Sequence, residues 1–110
     1  PMPRGILATS TARLAPGANV EWLAAAYAAA YKAEPFVRLL EPGTTPTTAS
    51  VLGSNTATLQ VFADEHAGRA IIVAAIDNLT KGAAGQAIQC ANIMVGLDQT
   101  TGLNSDGMTP

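Results

Sequence analysis

Asp77, Asn78, Lys81 and Gly82 are the residues of this chain best placed to do chemistry together. They stand in Ile76-Asp77-Asn78-Leu79-Thr80-Lys81-Gly82-Ala83-Ala84-Gly85, where an apolar run gives way to small residues at helical spacing. A strand followed by Asp or Asn and then a helix gathers unpaired backbone N–H groups and the positive end of the helix dipole. Lys81 adds an amine to the same place. A negatively charged or amide-bearing ligand would be well received there. Asn78 carries the matching chemistry, because a side-chain amide can exchange a donor and an acceptor with a carboxamide. The same residues also make an ordinary helix cap, and Asn78 can serve both ends.

Other reactive side chains carry less. Cys90 is the only thiol and sits inside a helical stretch, Gln89-Cys90-Ala91-Asn92. No histidine lies three or four residues away and no helix N-terminus is near to lower its pKa, so it reads as an inert thiol. His66 is the only histidine and falls beside Asp64 and Glu65 in a turn. One imidazole and two carboxylates in a tight turn do not converge on a metal, and a solvated histidine is expected. No catalytic residue and no metal ligand is assigned. Gly53-Ser54-Asn55 reads as a turn with at most a weak substrate-side role.

The elements that position these residues follow from pattern. Residues 6–14 alternate loosely and predict a strand, which Pro16-Gly17 stops. Asn19 suits the cap of a helix over residues 20–33, with Val20, Leu23, Ala24, Tyr27 and Tyr31 on one stripe. Pro35 ends it. Residues 36–40 predict a short strand, 41–48 a loop rich in Pro and Gly, and 49–53 another short strand. Residues 58–62 alternate with Leu59 and Val61 on one face, and 64–68 turn the chain into an apolar run over 70–76. That run has no polar alternation and reads as a strand buried on both faces. The last helix spans about residues 79–95, with Ala83, Ala84, Ala87 and Ala91 forming a face expected to pack tightly on a sheet; Gly96 suits its C-cap. The tail after Leu103 is polar and expected to be loose. The class is α+β, a mixed and largely antiparallel sheet with two main helices.

Bulk properties narrow the function. Charged residues are 13% of the chain, against about 25% in typical soluble domains, which implies a surface partly covered by other protein. The net charge is −2 and the six Lys and Arg are scattered, so nucleic acid is not expected as a partner. A single cysteine excludes an internal disulfide and suits a reducing cytoplasm. No apolar run reaches the roughly 18 residues that span a bilayer, and no signal peptide is evident, so no membrane role is expected.

Asp77-Asn78-Leu79-x-Lys81-Gly82-Ala83-Ala84 with Ala87-Ile88-Gln89 resembles the C-terminal helix of two related reductase families. They are N-acetyl-gamma-glutamyl-phosphate reductase and aspartate-semialdehyde dehydrogenase. Pro1-Met2-Pro3-Arg4-Gly5-Ile6 resembles the Pro-Met-x-Arg-Gly-Ile segment of the first, as do Glu34-Pro35-Phe36-Val37, Gly53-Ser54-Asn55 and Leu97-Asp98-Gln99-Thr100-Thr101-Gly102-Leu103. The resemblance runs through essentially the whole chain.

It implies the C-terminal catalytic and dimerisation domain of glyceraldehyde-3-phosphate-dehydrogenase-like reductases. Residues 1–78 would be part of that domain, 79–103 a helix and extension packing on a Rossmann portion, and 104–110 a tail. The family's Gly-rich phosphate loop and nucleophilic cysteine have no counterpart in these residues, and its catalytic histidine would fall just before Pro1. The chain would therefore be inactive alone and would work with a missing N-terminal Rossmann portion. The implied reaction is NADP-dependent reduction of N-acetyl-gamma-glutamyl phosphate, an acyl phosphate, to N-acetylglutamate semialdehyde in arginine biosynthesis, by a cytoplasmic homo-oligomer. By the same resemblance Asn78 would meet the nicotinamide, Lys81 and Gly82 would lie near the cofactor, and Arg4 would hold the substrate's carboxylate or acyl phosphate. A non-catalytic dimerisation module and the aspartate-semialdehyde activity are the alternatives.

Overall fold

The computed structural model describes residues 2–108. Four strands form one sheet in the order β1-β4-β3-β2: β1 (Ile6–Arg13), β2 (Val37–Leu39), β3 (Ala57–Asp64) and β4 (Arg69–Ile76). β1 and β3 each run antiparallel to β4, whereas β2 lies parallel to β3, so the sheet is mixed and largely antiparallel. The parallel pair follows from the long connection over residues 40–56, since a tight turn joins only antiparallel neighbours.

The hairpin between β3 and β4 closes where the sequence places it. The Asp64 carboxylate accepts from the Ala67 N–H at 2.9 Å, and Gly68 takes a φ of +61° that a side chain would disfavour. Helix α1 (Val20–Tyr31) starts at Asn19, whose side chain accepts from the Trp22 N–H. Leu23 buries against Val61 and Ala70, with Ala24, Tyr27, Leu39 and Ile72 around them. Tyr31, at the end of the expected stripe, stays partly exposed and rests on the Tyr27 ring at 5.9 Å.

Four expectations are corrected. Residues 49–53 do not form a strand; Ala49–Val51 is a single 3₁₀ turn, which leaves Gly53 at a φ of +76°. The tail is not loose over its described part. The Asn55 N–H donates to the Asn104 carbonyl, the Thr56 hydroxyl to the Ser105 carbonyl and the Met108 N–H to the Leu52 carbonyl. Thr109 and Pro110, like Pro1, lie outside the described residues.

The third correction concerns β4. Only Ala70 and Ala75 are buried, and the other apolar residues of the strand are half-covered. Every residue of β1 beside it is exposed. The sheet therefore has α1 on one side of β2 and β3 and open surface around β1. The molecule is a slab 44 × 36 × 21 Å with 6812 Å² of accessible surface. A compact monomer of 11.2 kDa would expose only about 5,700 Å². The difference is comparable to one partner's share, about 800 Å², of an ordinary protein interface.

Helix α2 (Gly85–Met94) is turned the opposite way from its expected packing. Its inward residues are Gly85, Gln89 and Asn92, while Ala83, Ala84, Ala87 and Ala91 of the segment are exposed. Ile88, Ile93 and Met94 face outward too, as do Val95 and Leu97 after it. The polar residues point in because they have work there. Gln89 Nε2 donates to Gln99 Oε1 and Asn92 Nδ2 to the Thr101 carbonyl, which folds the segment after the helix back along it. Alanine periodicity finds a face but does not say what covers it.

Candidate functional site

Asp77 ends β4 and organises the junction. Its carboxylate is fully buried, yet it accepts four hydrogen bonds and one further ion-pair contact from three parts of the chain. Oδ1 takes the Leu79 and Thr80 N–H groups at 2.8 and 3.1 Å and the Arg4 Nε–H at 3.3 Å. Oδ2 takes the Gly53 N–H at 2.6 Å and Arg4 Nη2 at 2.8 Å. Burial alone would raise the pKa of this group. The N–H groups of Gly53, Leu79 and Thr80, followed by Arg4, outweigh it and hold the carboxyl well below its ordinary range.

The first helical N–H groups are thus spent on Asp77 rather than left for an external anion. The segment after it, Thr80–Ala84, winds as a single π-type turn before α2, with the Gly82 N–H on the Asp77 carbonyl. Such turns recur at functional positions because they redirect the backbone without ending the helix.

Asn78 is half-buried beside Asp77. Its Oδ1 accepts the Gly5 N–H at 2.7 Å, which fixes the plane of the amide. Nδ2 has no hydrogen-bond partner among the described residues. Of the donor and acceptor that could meet a carboxamide, the donor is the one still available. Gly82 is exposed and lies on the same side; a Cβ there would stand 3.5 Å from Ile76 Cδ1 and 3.9 Å from Asn78 Cβ.

Lys81 points elsewhere. Its Nζ donates to Gln89 Oε1 at 2.8 Å and sits 5.6 Å from the centre of the buried Phe36 ring, a cation–π contact. Desolvation lowers its pKa, partly offset by Cys90 and Glu34. Gln89 Oε1 also accepts Asn55 Nδ2 at 2.9 Å, so Lys81 closes a buried amide cluster against β2 and β3. Arg4 is about a third exposed, with Nε and Nη2 on Asp77 and Nη1 without a partner among the described residues.

Pattern reading overlooked Asn55, Gln89 and Asn92, all buried. Two amides three positions apart in a helix otherwise rich in alanine and isoleucine were the available signal. Asn55 Oδ1 itself has no hydrogen-bond partner among the described residues and faces Gly85. A methyl group at Gly85 would collide with it and stand 2.9 Å from the Thr80 carbonyl oxygen. Gly85→Ala should therefore lower stability by about 1–3 kcal/mol, although alanine is the better helix former. Urea denaturation checks this, and an unchanged midpoint would contradict it.

Cys90 is exposed and accepts a hydrogen bond from Gln86 Nε2, and His66 is exposed in the hairpin turn. A cavity of about 210 Å³ opens between α1 and Pro42-Gly43, lined by Val20, Ala24, Gln60 and Phe62 among others. It shares no residue with the Asp77 junction.

Comparison with known proteins decides the family. Residues 1–78 match the family model described as the semialdehyde dehydrogenase dimerisation domain. The chain belongs to that family. All 110 residues also align with N-acetyl-gamma-glutamyl-phosphate reductases, at 59% identity in Thermobifida fusca, 57% in Acidothermus cellulolyticus and 56% in Frankia casuarinae. The chain spans 32% of the length of each of these relatives. In this dimerisation domain the Asp77 junction lies at the end of the matched region, and the π turn and α2 follow it.

Proposed function

We propose that this chain acts within a cytoplasmic, NADP-dependent N-acetyl-gamma-glutamyl-phosphate reductase of arginine biosynthesis. Residues 1–78 contribute to its dimerising catalytic domain. Residues 79–103 form the helix and extension that pack on a dinucleotide-binding portion supplied by the rest of the enzyme, and 104–110 form the tail. The observation that carries the cofactor part is the hydrogen bond from the Gly5 N–H to Asn78 Oδ1. It leaves Nδ2 to donate to the carbonyl oxygen of a nicotinamide carboxamide. The bound cofactor would supply the hydride that takes an acyl group to an aldehyde.

Each residue then has a limited task. Asn78 orients the carboxamide, and Gly82 keeps the adjacent surface low enough for a ring to approach. Lys81, held by Gln89 and Phe36, steadies the π turn beside the cofactor surface. Arg4 presents its outer edge to an anionic group of the acyl phosphate. The exposed apolar residues of α2 and its extension offer the surface on which the dinucleotide-binding portion would rest. No helix among the described residues is long and apolar enough to cross a membrane.

Asn78→Asp in the whole reductase tests this. The aspartate keeps an oxygen for Gly5 but turns the donor into an acceptor. The dissociation constant for NADPH should rise at least tenfold, about 1.4 kcal/mol, while the melting temperature changes little. Unchanged NADPH binding would refute the assignment. The aspartate-semialdehyde alternative predicts turnover of aspartyl phosphate in preference to the acetylglutamyl compound. The non-catalytic alternative predicts neither turnover nor NADPH binding.

A further inference from the structure

β1 and β4 pair as far as Ile6 opposite Ile76, and beyond that pair the two strands stay joined through side chains. Gly5 is held by Asn78, and Arg4 by Asp77. The residue before the amide thus holds the residue before the glycine, and the two contacts cross the strand ends side by side. Asp77 meets Arg4 along one edge of the guanidinium, Nε to Oδ1 and Nη2 to Oδ2. A guanidinium has a second edge, formed by Nη1 and the other proton of Nη2, which can take another oxyanion at the same time.

We propose that Asp77 is a positioning residue that anchors the inner edge of Arg4, so that its outer edge is a preformed fork for an oxyanion of the acyl-phosphate substrate. The inference rests on the Arg4 part of the proposed function and goes beyond it by naming what holds Arg4 in place. Without the anchor, the side chain would lose several rotamers' worth of freedom at the moment of binding. Asp77 itself cannot swing, because Gly53, Leu79 and Thr80 fix the carboxylate from the other sides. The pair is close to neutral overall, so the fork works by shape and hydrogen-bond direction more than by net charge. An ordinary helix cap would need only the contacts to Leu79 and Thr80. The arginine on both carboxylate oxygens is what a cap does not require.

The test compares Arg4→Lys, Asp77→Asn and the double variant in the whole reductase, at a temperature where each gives the wild-type near-UV dichroism. Asp77→Asn keeps one oxygen for the helix N–H groups and turns a donor toward Gly53 and Arg4. Each single variant should raise KM for the acyl phosphate at least tenfold, with KM for NADPH within twofold. The double variant should be no worse than the worse single one. Nuclear magnetic resonance of the wild-type side chain should also resolve separate Arg4 Nη signals, slowed in rotation and shifted by added inorganic phosphate. Asp77→Asn should merge them.

A folded Asp77→Asn variant with wild-type KM overturns the inference while leaving Arg4 as a substrate contact. So do losses that simply multiply in the double variant. An unchanged KM in Arg4→Lys overturns the substrate role of Arg4 and the inference with it. If Asp77→Asn does not fold, the wild-type spectrum decides: freely rotating Nη groups would overturn the proposal.

Discussion

Replacing Asp77 with alanine should destabilise the protein by on the order of 3–5 kcal/mol, a large share of the ~5–15 kcal/mol that holds a domain folded. The reason is the number of donors left behind. The N–H groups of Gly53, Leu79 and Thr80 and the inner edge of Arg4 all end on this one carboxylate, which is itself fully buried. An unmade buried hydrogen bond costs about 1–3 kcal/mol, and relaxation recovers only part of it. Urea denaturation measures the loss, and a change under 1 kcal/mol would mean that the junction is not held as described.

The same carboxylate gives a pH dependence of definite sign. Its pKa in the folded protein is depressed below the ordinary 3.8. In the unfolded chain the group takes up a proton near that ordinary value, and in the folded state it resists until much lower pH. Its contribution is therefore complete above the unfolded pKa and shrinks as pH falls below about 4 toward the depressed value. Stability should drop on acidification through that window, with a shallower slope in Asp77→Asn. An identical slope in the two proteins would contradict the assignment.

Most of the local structure was legible because local chemistry decides it. Asn19 has the side chain that caps α1, and Asp64 to Gly68 has the residues a hairpin turn needs. What sequence could not supply was the identity of covering surfaces. Ala70 to Ile76 has the composition of a strand buried on both faces, but burial depends on what lies over Ile71 and Val73. Among the described residues nothing covers them fully. The alanine face of α2 misled for the same reason. Alanines at helical spacing mark a surface suited to close packing, whereas Gln89 and Asn92 take the inner side because carbonyls there need donors. At the candidate site, the pairing of Asp77 with Asn78 was readable as a cap. That the cap consumes its own N–H groups, leaving the Asn78 donor as the available one, depends on Gly5 and Gly53. These glycines lie 73 and 24 positions away from their partners.

The open side of the sheet leads to the second large effect. Cross-strand neighbours share a face, so Thr11, Ile71 and Phe62 form one row and Thr9, Val73 and Gln60 the next. Leu23 and the rest of α1 pack on the opposite face, through Val61, Ala70 and Ile72. Gln60 is covered at one end by its hydrogen bonds to the Leu40 and Glu41 carbonyls. Thr9, Thr11, Ile71 and Val73 make a flat, β-branched surface suited to lying against another sheet, and a dimerisation-domain chain has a second copy of itself to offer. In a two-fold dimer each substitution is met twice. If this surface is the contact between two copies of the dimerisation domain, Val73→Arg should raise the dimer dissociation constant by on the order of a hundredfold, because a desolvated unpaired charge is costly. The monomer should remain folded, since Val73 is only half-buried and a long side chain can reach water from there. Sedimentation velocity over a concentration series reads the outcome directly. Trp22→Ala, on the exposed side of α1, serves as the control that should leave association intact. If Val73→Arg sediments as the wild-type dimer, these rows are not the contact between subunits, and the half-covered state of β4 needs a different neighbour.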